Sequence, residues 1–201
     1  MISSCIYATA YAFATSYGTI YDLYRNGSTP QKVAENIASY YREPYTAFFI
    51  GNVATNQSFA GITDATLQAY NFLEDAGIGN DITTDSVRVE PISNASAIVW
   101  LTWRIHPKND VESFSWTTMY HYRNDVDLLA GIEAPGGNGT HGLDGTTVQM
   151  SSEECIASVS GTGARPPGGW EFGVSDEEIV KFSQRVPNYI DSYVMPPSKK
   201  S

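Results

Sequence analysis

A chain of 201 residues, 42% hydrophobic and 12% aromatic, can bury one substantial core and fits one domain better than two. Its 12 Lys and Arg stand against 22 Asp and Glu, a formal net charge of -10, and no basic cluster occurs outside the stretch "PPSKKS". A polyanion is repelled by such a chain, so nucleic acid and an anionic membrane surface are not expected partners, and no apolar run approaches the roughly 20 residues of a membrane-spanning helix.

Apolar residues recur at Ile6, Ala10, Phe13, Tyr17, Ile20 and Tyr24, the spacing of one helix face, and predict a long first helix that stops at Asn26-Gly27. A second helix follows, with Ser28 or Thr29 as N-cap, Pro30 in its first turn and Val33, Ile37 and Tyr41 on one face; Pro44 is expected to end it. "YTAFFIGNVA" reads as one strand. "GITDATLQAYNFLEDAGIG" reads as a third helix, opened by Thr63 or Asp64 and closed near Gly77 and Gly79. The period then changes from 3.6 to 2: "DSVRVEPIS", "SAIVWLTWRIHP" and "ESFSWTTMYHYRND" predict successive antiparallel strands with turns at Ser93-Asn94 and Lys108-Asn109-Asp110.

Residues 125–168 carry no sustained period and many glycines, and form an irregular insert of the length that serves as a lid, a dimer arm or a disordered segment. "GWEFGVS" supplies a last strand. "SDEEIVKFSQRVPNY" supplies a final helix with Ser175 as N-cap and Glu178 as its capping-box partner, before a tail over 194–201.

The opening "MISSCIYATAYAFATSY" has no basic leader and reads as an amphipathic helix, so the cytoplasm is the expected location. Secretion is the alternative: only 17% of residues are charged, and sequons stand at Asn26, Asn56, Asn94 and Asn138. Cys5 and Cys155 are compatible with a bridge or with two buried thiols.

This order of elements resembles the nuclear transport factor two-like superfamily, in its SnoaL-like branch of polyketide cyclases, ketosteroid isomerase and scytalone dehydratase. The resemblance rests on "YGTIYDLYRNGSTPQKVAENIASYYREPYTAFF", "GITDATLQAY", "DSVRVEPISNASAIVWLTWRIHP", "ESFSWTTMYHYRND" and "GWEF". It implies one α+β domain over 1–201: a cone of N-terminal helices packed on a strongly curved antiparallel sheet, with the insert before the last strand. It also implies a homodimer through the sheet. The carboxylate base of ketosteroid isomerase would fall at or near Phe49, and no Asp or Glu lies between Pro44 and Gly61. The inward histidine of scytalone dehydratase would fall on Leu101. In the following strand the family's inward polar position would fall on Thr118 or Tyr120.

The parity of "SAIVWLTWRIHP" decides which side chains face the hollow. Val99, Leu101, Trp103 and Ile105 are wholly apolar, whereas burying Arg104 without a partner would cost several kcal/mol, so Arg104 and His106 are expected on the convex face. Trp100 beside Arg104 then suggests an outer face partly covered, in this family by a second subunit.

In this fold Tyr17, Tyr21, Tyr24, Tyr45, Phe49, Leu101, Trp103, Trp116, Thr118 and Tyr120 converge on a pocket suited to a small hydrophobic molecule held by apolar contact and oriented by hydroxyls. The expected function is binding such a molecule, with a cofactor-free cyclase, isomerase or dehydratase as its catalytic form and a non-catalytic binding or dimerisation module as the alternative. Tyr120 and His121 are the weak catalytic candidates. No cofactor is expected. His106, His121 and His141 lack metal-ligand spacing, "GNGTHG" lacks the strand and helix of a nucleotide loop, Asp64 reads as a cap, and Asp125, Asp127, Glu133 and Asp144 read as a solvated acidic loop.

Overall fold

A computed structural model describes residues 4–124 and 168–189. Most of the predicted insert, the tail, and with them Asp125, Asp127, Glu133, Asn138, His141, Asp144, Cys155 and the "GNGTHG" loop lie outside the described residues.

Helix α1 (Ser4–Gly18) buries Ile6, Ala10, Phe13 and Tyr17, the predicted face, but it ends at Gly18, and the periodic stretch continues as a separate short helix α2 (Tyr21–Arg25). At the break the chain passes close to Thr84, where only glycine fits: a Cβ on Gly18 would lie 2.4 Å from Thr84 Oγ1. Helix α3 (Pro30–Ala38) starts as its sequence says, with the Thr29 side chain accepting from the Lys32 N–H and Pro30 in the first turn. It ends before Tyr41, and Pro44 lies inside strand β1 (Tyr41–Phe49) rather than terminating a helix.

The single strand expected from "YTAFFIGNVA" is a hairpin. Positive φ at Ile50 and Gly51 turns β1 into β2 (Asn52–Asn56), a turn that apolar neighbours on both sides conceal in the sequence. Helix α4 (Phe59–Asp75) is capped by Ser58, whose side chain accepts from the Gly61 N–H. Thr63 and Asp64 therefore sit inside the helix and not at its start.

Strands β3 (Ile82–Pro91), β4 (Ser96–Ile105) and β5 (Phe114–Arg123) form the predicted antiparallel meander. Buried and half-buried residues alternate along β4 without exception, with Val99, Leu101, Trp103 and Ile105 inside. Arg104 lies outside, where its Nη2 meets Asp85 Oδ2 at 2.8 Å and its Nε adds 3.0 and 3.1 Å contacts to the same carboxylate. His106 Nε2 lies 3.1 Å from Thr83 Oγ1.

Strand β6 (Gly169–Val174) enters between β1 and β5, so the open six-stranded sheet runs β2-β1-β6-β5-β4-β3. The β1–β6 pairing is parallel and all others are antiparallel, which makes the sheet mixed rather than wholly antiparallel. Register shifts at Thr84/Ser86, Tyr41/Thr46 and His121/Tyr122 supply local twist and bending. The helices cover its concave side, where Phe13 packs edge-on against Trp170 at 4.8 Å. This is an α+β cone of helices on a curved sheet.

Parity along β4 has a measurable consequence. Leu101→Ala should lower the urea unfolding free energy by about 2–5 kcal/mol, whereas Arg104→Ala should leave the midpoint nearly unchanged.

Candidate functional site

The last helix, α5 (Asp176–Ser183), positions the site through three consecutive acids. The Ser175 side chain makes no capping bond, so the expected capping box is not formed. Asp176 instead accepts from the backbone N–H of Ile50 in the β1–β2 turn, and Glu177 Oε2 accepts from the Thr117 N–H at 3.0 Å. The Ser175 N–H donates to the Phe48 carbonyl at 2.9 Å. Phe182 anchors the other end of the helix, 4.9 Å from the rings of both Phe114 and Trp116. With its flanks pinned in this way, α5 turns the third acid, Glu178, toward the hollow, and Tyr189 donates to Glu178 Oε1 at 3.0 Å.

The hollow is a cavity of about 190 Å³ between α1, α2, α4, α5 and the sheet. Tyr17, Tyr21, Tyr45, Phe49, Trp103, Trp116 and Tyr120, all expected from the sequence, line it. Leu101 and Thr118 are buried in the sheet but do not reach the lining. Tyr24 is turned away, its hydroxyl donating to Glu74 and accepting from Lys108 Nζ at 2.8 Å. His121 projects from the opposite face of the sheet, stacked on Phe172 at 4.9 Å with its Nδ1 2.9 Å from Glu171 Oε2. Trp100 is also on that outer face, and its ring is covered by the Arg88 guanidinium of the same chain at 3.7 Å.

Sequence reasoning did not find Glu178, Tyr41, Tyr70 or Tyr189 among the lining residues. Glu178 was absorbed by the S-x-x-E capping pattern. Its spacing of four from Phe182, a buried core residue on the same helix face, is the signal that separates the two readings. Tyr41 was placed on the face of the second helix, and it lies instead at the start of β1.

The hydroxyls of Tyr17 and Tyr41 meet at 2.6 Å. Burial pushes the Tyr17, Tyr21, Tyr41, Tyr45 and Tyr70 phenols above their ordinary value, so they carry no charge at neutral pH. Tyr120 is pushed up to about 12, first by burial and then by the Glu178 charge, while hydrogen bonding to Tyr17 and Tyr41 opposes the rise. Three phenols thus share one hydrogen-bonded cluster within reach of one carboxylate's field. The Nε1–H of Trp116 is a buried donor without a protein acceptor.

A backbone feature makes room for the rings: a Cβ on Gly173 would lie 2.3 Å from the Tyr45 hydroxyl and 3.3 Å from the Tyr120 ring. Among the described residues no group of three or more His, Cys, Asp or Glu converges as a metal would require, and no helix is long and apolar enough to cross a membrane.

Phenols whose folded-state pKa exceeds the unfolded value of about 10 stabilise the fold below that pH and lose this contribution as pH rises toward the folded value. Unfolding free energy should therefore fall between about pH 10 and pH 12. Absorbance at the phenolate band should show the buried tyrosines ionising in step with unfolding.

No protein-family model matches the sequence, and no curated protein does. Among solved structures, the chain is similar to an NTF-2 like protein of unknown function from Shewanella oneidensis MR-1, at 10% identity, over 82% of this chain and 96% of that one, with a TM-score of 0.46. It is similar to a ketosteroid isomerase-like protein from Erwinia carotovora atroseptica SCRI1043, at 10% identity, over 85% and 92%, with a TM-score of 0.42. It is also similar to a domain of unknown function with a cystatin-like fold from Nostoc punctiforme PCC 73102, at 11% identity, over 94% and 92%, with a TM-score of 0.47. The architecture is that of helices laid on one side of an open six-stranded sheet.

Proposed function

We propose that the cavity binds a small hydrophobic molecule carrying at least one hydrogen-bond acceptor. The observation behind this reading is a lining rich in aromatic rings, with the phenol hydroxyls of Tyr17, Tyr41 and Tyr120 among them. A hydrogen bond from a lining phenol to a ligand carbonyl or ether oxygen contributes about 0.5–1.5 kcal/mol. At about 190 Å³ the cavity is below the range usual for drug-sized ligands, which favours a compact, single-ring molecule.

Acetophenone is a suitable probe, with one ring and one acceptor. Calorimetry should show binding by the native protein. Ala69→Phe, which fills the lining from α4, should weaken binding at least about tenfold. Unchanged affinity in Ala69→Phe would place the ligand elsewhere and end this reading.

A second reading, a cofactor-free proton transfer, is favoured by one specific observation: Glu178 is the one carboxylate among the described lining residues, and its charge acts on Tyr120. A carboxylate removes a proton next to a carbonyl, and neutral phenols donate hydrogen bonds to the oxygen on which negative charge develops. Acetophenone in deuterated water should then exchange its methyl protons faster with the native protein than without it, and Glu178→Gln should reduce that enhancement by about a hundredfold or more.

A further inference from the structure

We propose that this chain matures in an oxidising secretory compartment and carries N-linked glycans on the two exposed turns marked by Asn26 and Asn94. The first observation is covalent. Cys5, in the first turn of α1, is buried and disulfide-bonded, and among the described residues there is no free cysteine. The chain holds one other cysteine, Cys155. Forming such a bond takes two electrons and two protons from a pair of thiols, and a disulfide-carrying protein oxidant of the compartment accepts them and becomes a dithiol. Cytosolic thioredoxin and glutathione hold thiols reduced, so a bond between cysteines this far apart in sequence marks an oxidising environment.

The second observation is where the fold puts the sequons. Asn26-Gly27-Ser28 lies in the connection between α2 and α3, and Asn26 is exposed. Gly27 has a φ of 81°, and a Cβ built on it would meet nothing within 4 Å beyond its chain neighbours, so this turn stands in open space. Asn94-Ala95-Ser96 spans the turn between β3 and β4, and Asn94 is exposed there. A glycan is bulky and hydrophilic, and exposed turns accommodate it without loss of packing. Neither asparagine lines the cavity, so sugars at these turns are compatible with ligand binding.

Asn56-Gln57-Ser58 is different. Asn56 is half-buried and lines the cavity, and its Oδ1 would lie 3.3 Å from a Cβ on Gly61 of α4. Ser58, the hydroxyl residue of this sequon, caps the same helix. A glycan on Asn56 would stand between β2 and α4, so the folded protein is expected to carry none there. Transfer exchanges one bond for another. The asparagine amide nitrogen bonds to the anomeric carbon of a lipid diphosphate-linked oligosaccharide, the bond from that carbon to the diphosphate oxygen breaks, and the nitrogen loses a proton as the lipid diphosphate leaves. The secretory location is thereby favoured over the cytoplasm.

The test uses the full chain isolated from the cells that make it, lysed in iodoacetamide to block free thiols. Peptide mapping without reduction should find Cys5 unalkylated and linked to Cys155. Peptide N-glycosidase F in heavy-oxygen water should convert Asn26 and Asn94 to labelled aspartate and leave Asn56 unlabelled, and a parallel digestion without the enzyme subtracts spontaneous deamidation at Asn26-Gly27. Label at either turn together with a linked Cys5 supports the proposal. An alkylated Cys5, no label at both turns, or label at Asn56 overturns it. In the full chain secreted from insect cells, Asn26→Gln and Asn94→Gln should each remove one glycan's step in gel mobility and Asn56→Gln none. Unchanged mobility in both of the first two variants would overturn it as well.

Discussion

Alternation of side chains across β4 and β5 is the constraint on which the rest of this structure depends. Trp103, Trp116 and Tyr120 reach the cavity because every second residue of these strands faces the helices. The intervening Arg104 and Ser115 both bind Asp85 of β3 on the far side. A register slip of one residue would bring Arg104, Thr102 and His121 inward and expel both indoles. The fold therefore cannot be kept while its interior chemistry is exchanged. Neutral rings inside and ion pairs outside are one decision, enforced along two paired strands.

The acids of α5 divide labour in the same way. Asp176 and Glu177 satisfy backbone donors of the β1–β2 turn and of β5 that the sheet leaves open, and this fixes the rotation of the helix. Glu178 then faces inward as a geometric result of its neighbours' attachments. The carboxylate of the site is held from the strands on both sides of β6, so its position depends on elements distant in sequence. Its hydrogen bond from Tyr189 closes the arrangement beyond the end of the helix.

Much of this was legible in the residues. The strict period of two in "SAIVWLTWRIHP" and the wholly apolar odd set made the inward face readable, and Thr29-Pro30 marked a helix start that the structure keeps. What was not legible depended on partners far along the chain. Gly18, at the end of α1, packs against Thr84, about 66 residues away in sequence, a contact that local periodicity does not register. The Ile50-Gly51 turn was hidden by apolar residues on both strands. Glu178 fitted a local capping pattern that tertiary attachment overrode. Tyr24 shared the helical spacing of Tyr17 and Tyr21 but is drawn to Glu74 and Lys108 outside the cavity. Local rules read faces well and read the competition between partners poorly.

The placement of β6 has a consequence for how the molecule is made. Strands β1 and β2 on one side and β3 to β5 on the other share no direct ladder; the segment from Gly169 to Val174 is the bridge between them. During synthesis on a ribosome the two half-sheets emerge well before their joining strand does. Until it arrives, β1 and β5 each present a row of unsatisfied amides and carbonyls, where a foreign strand or a chaperone could dock in its place.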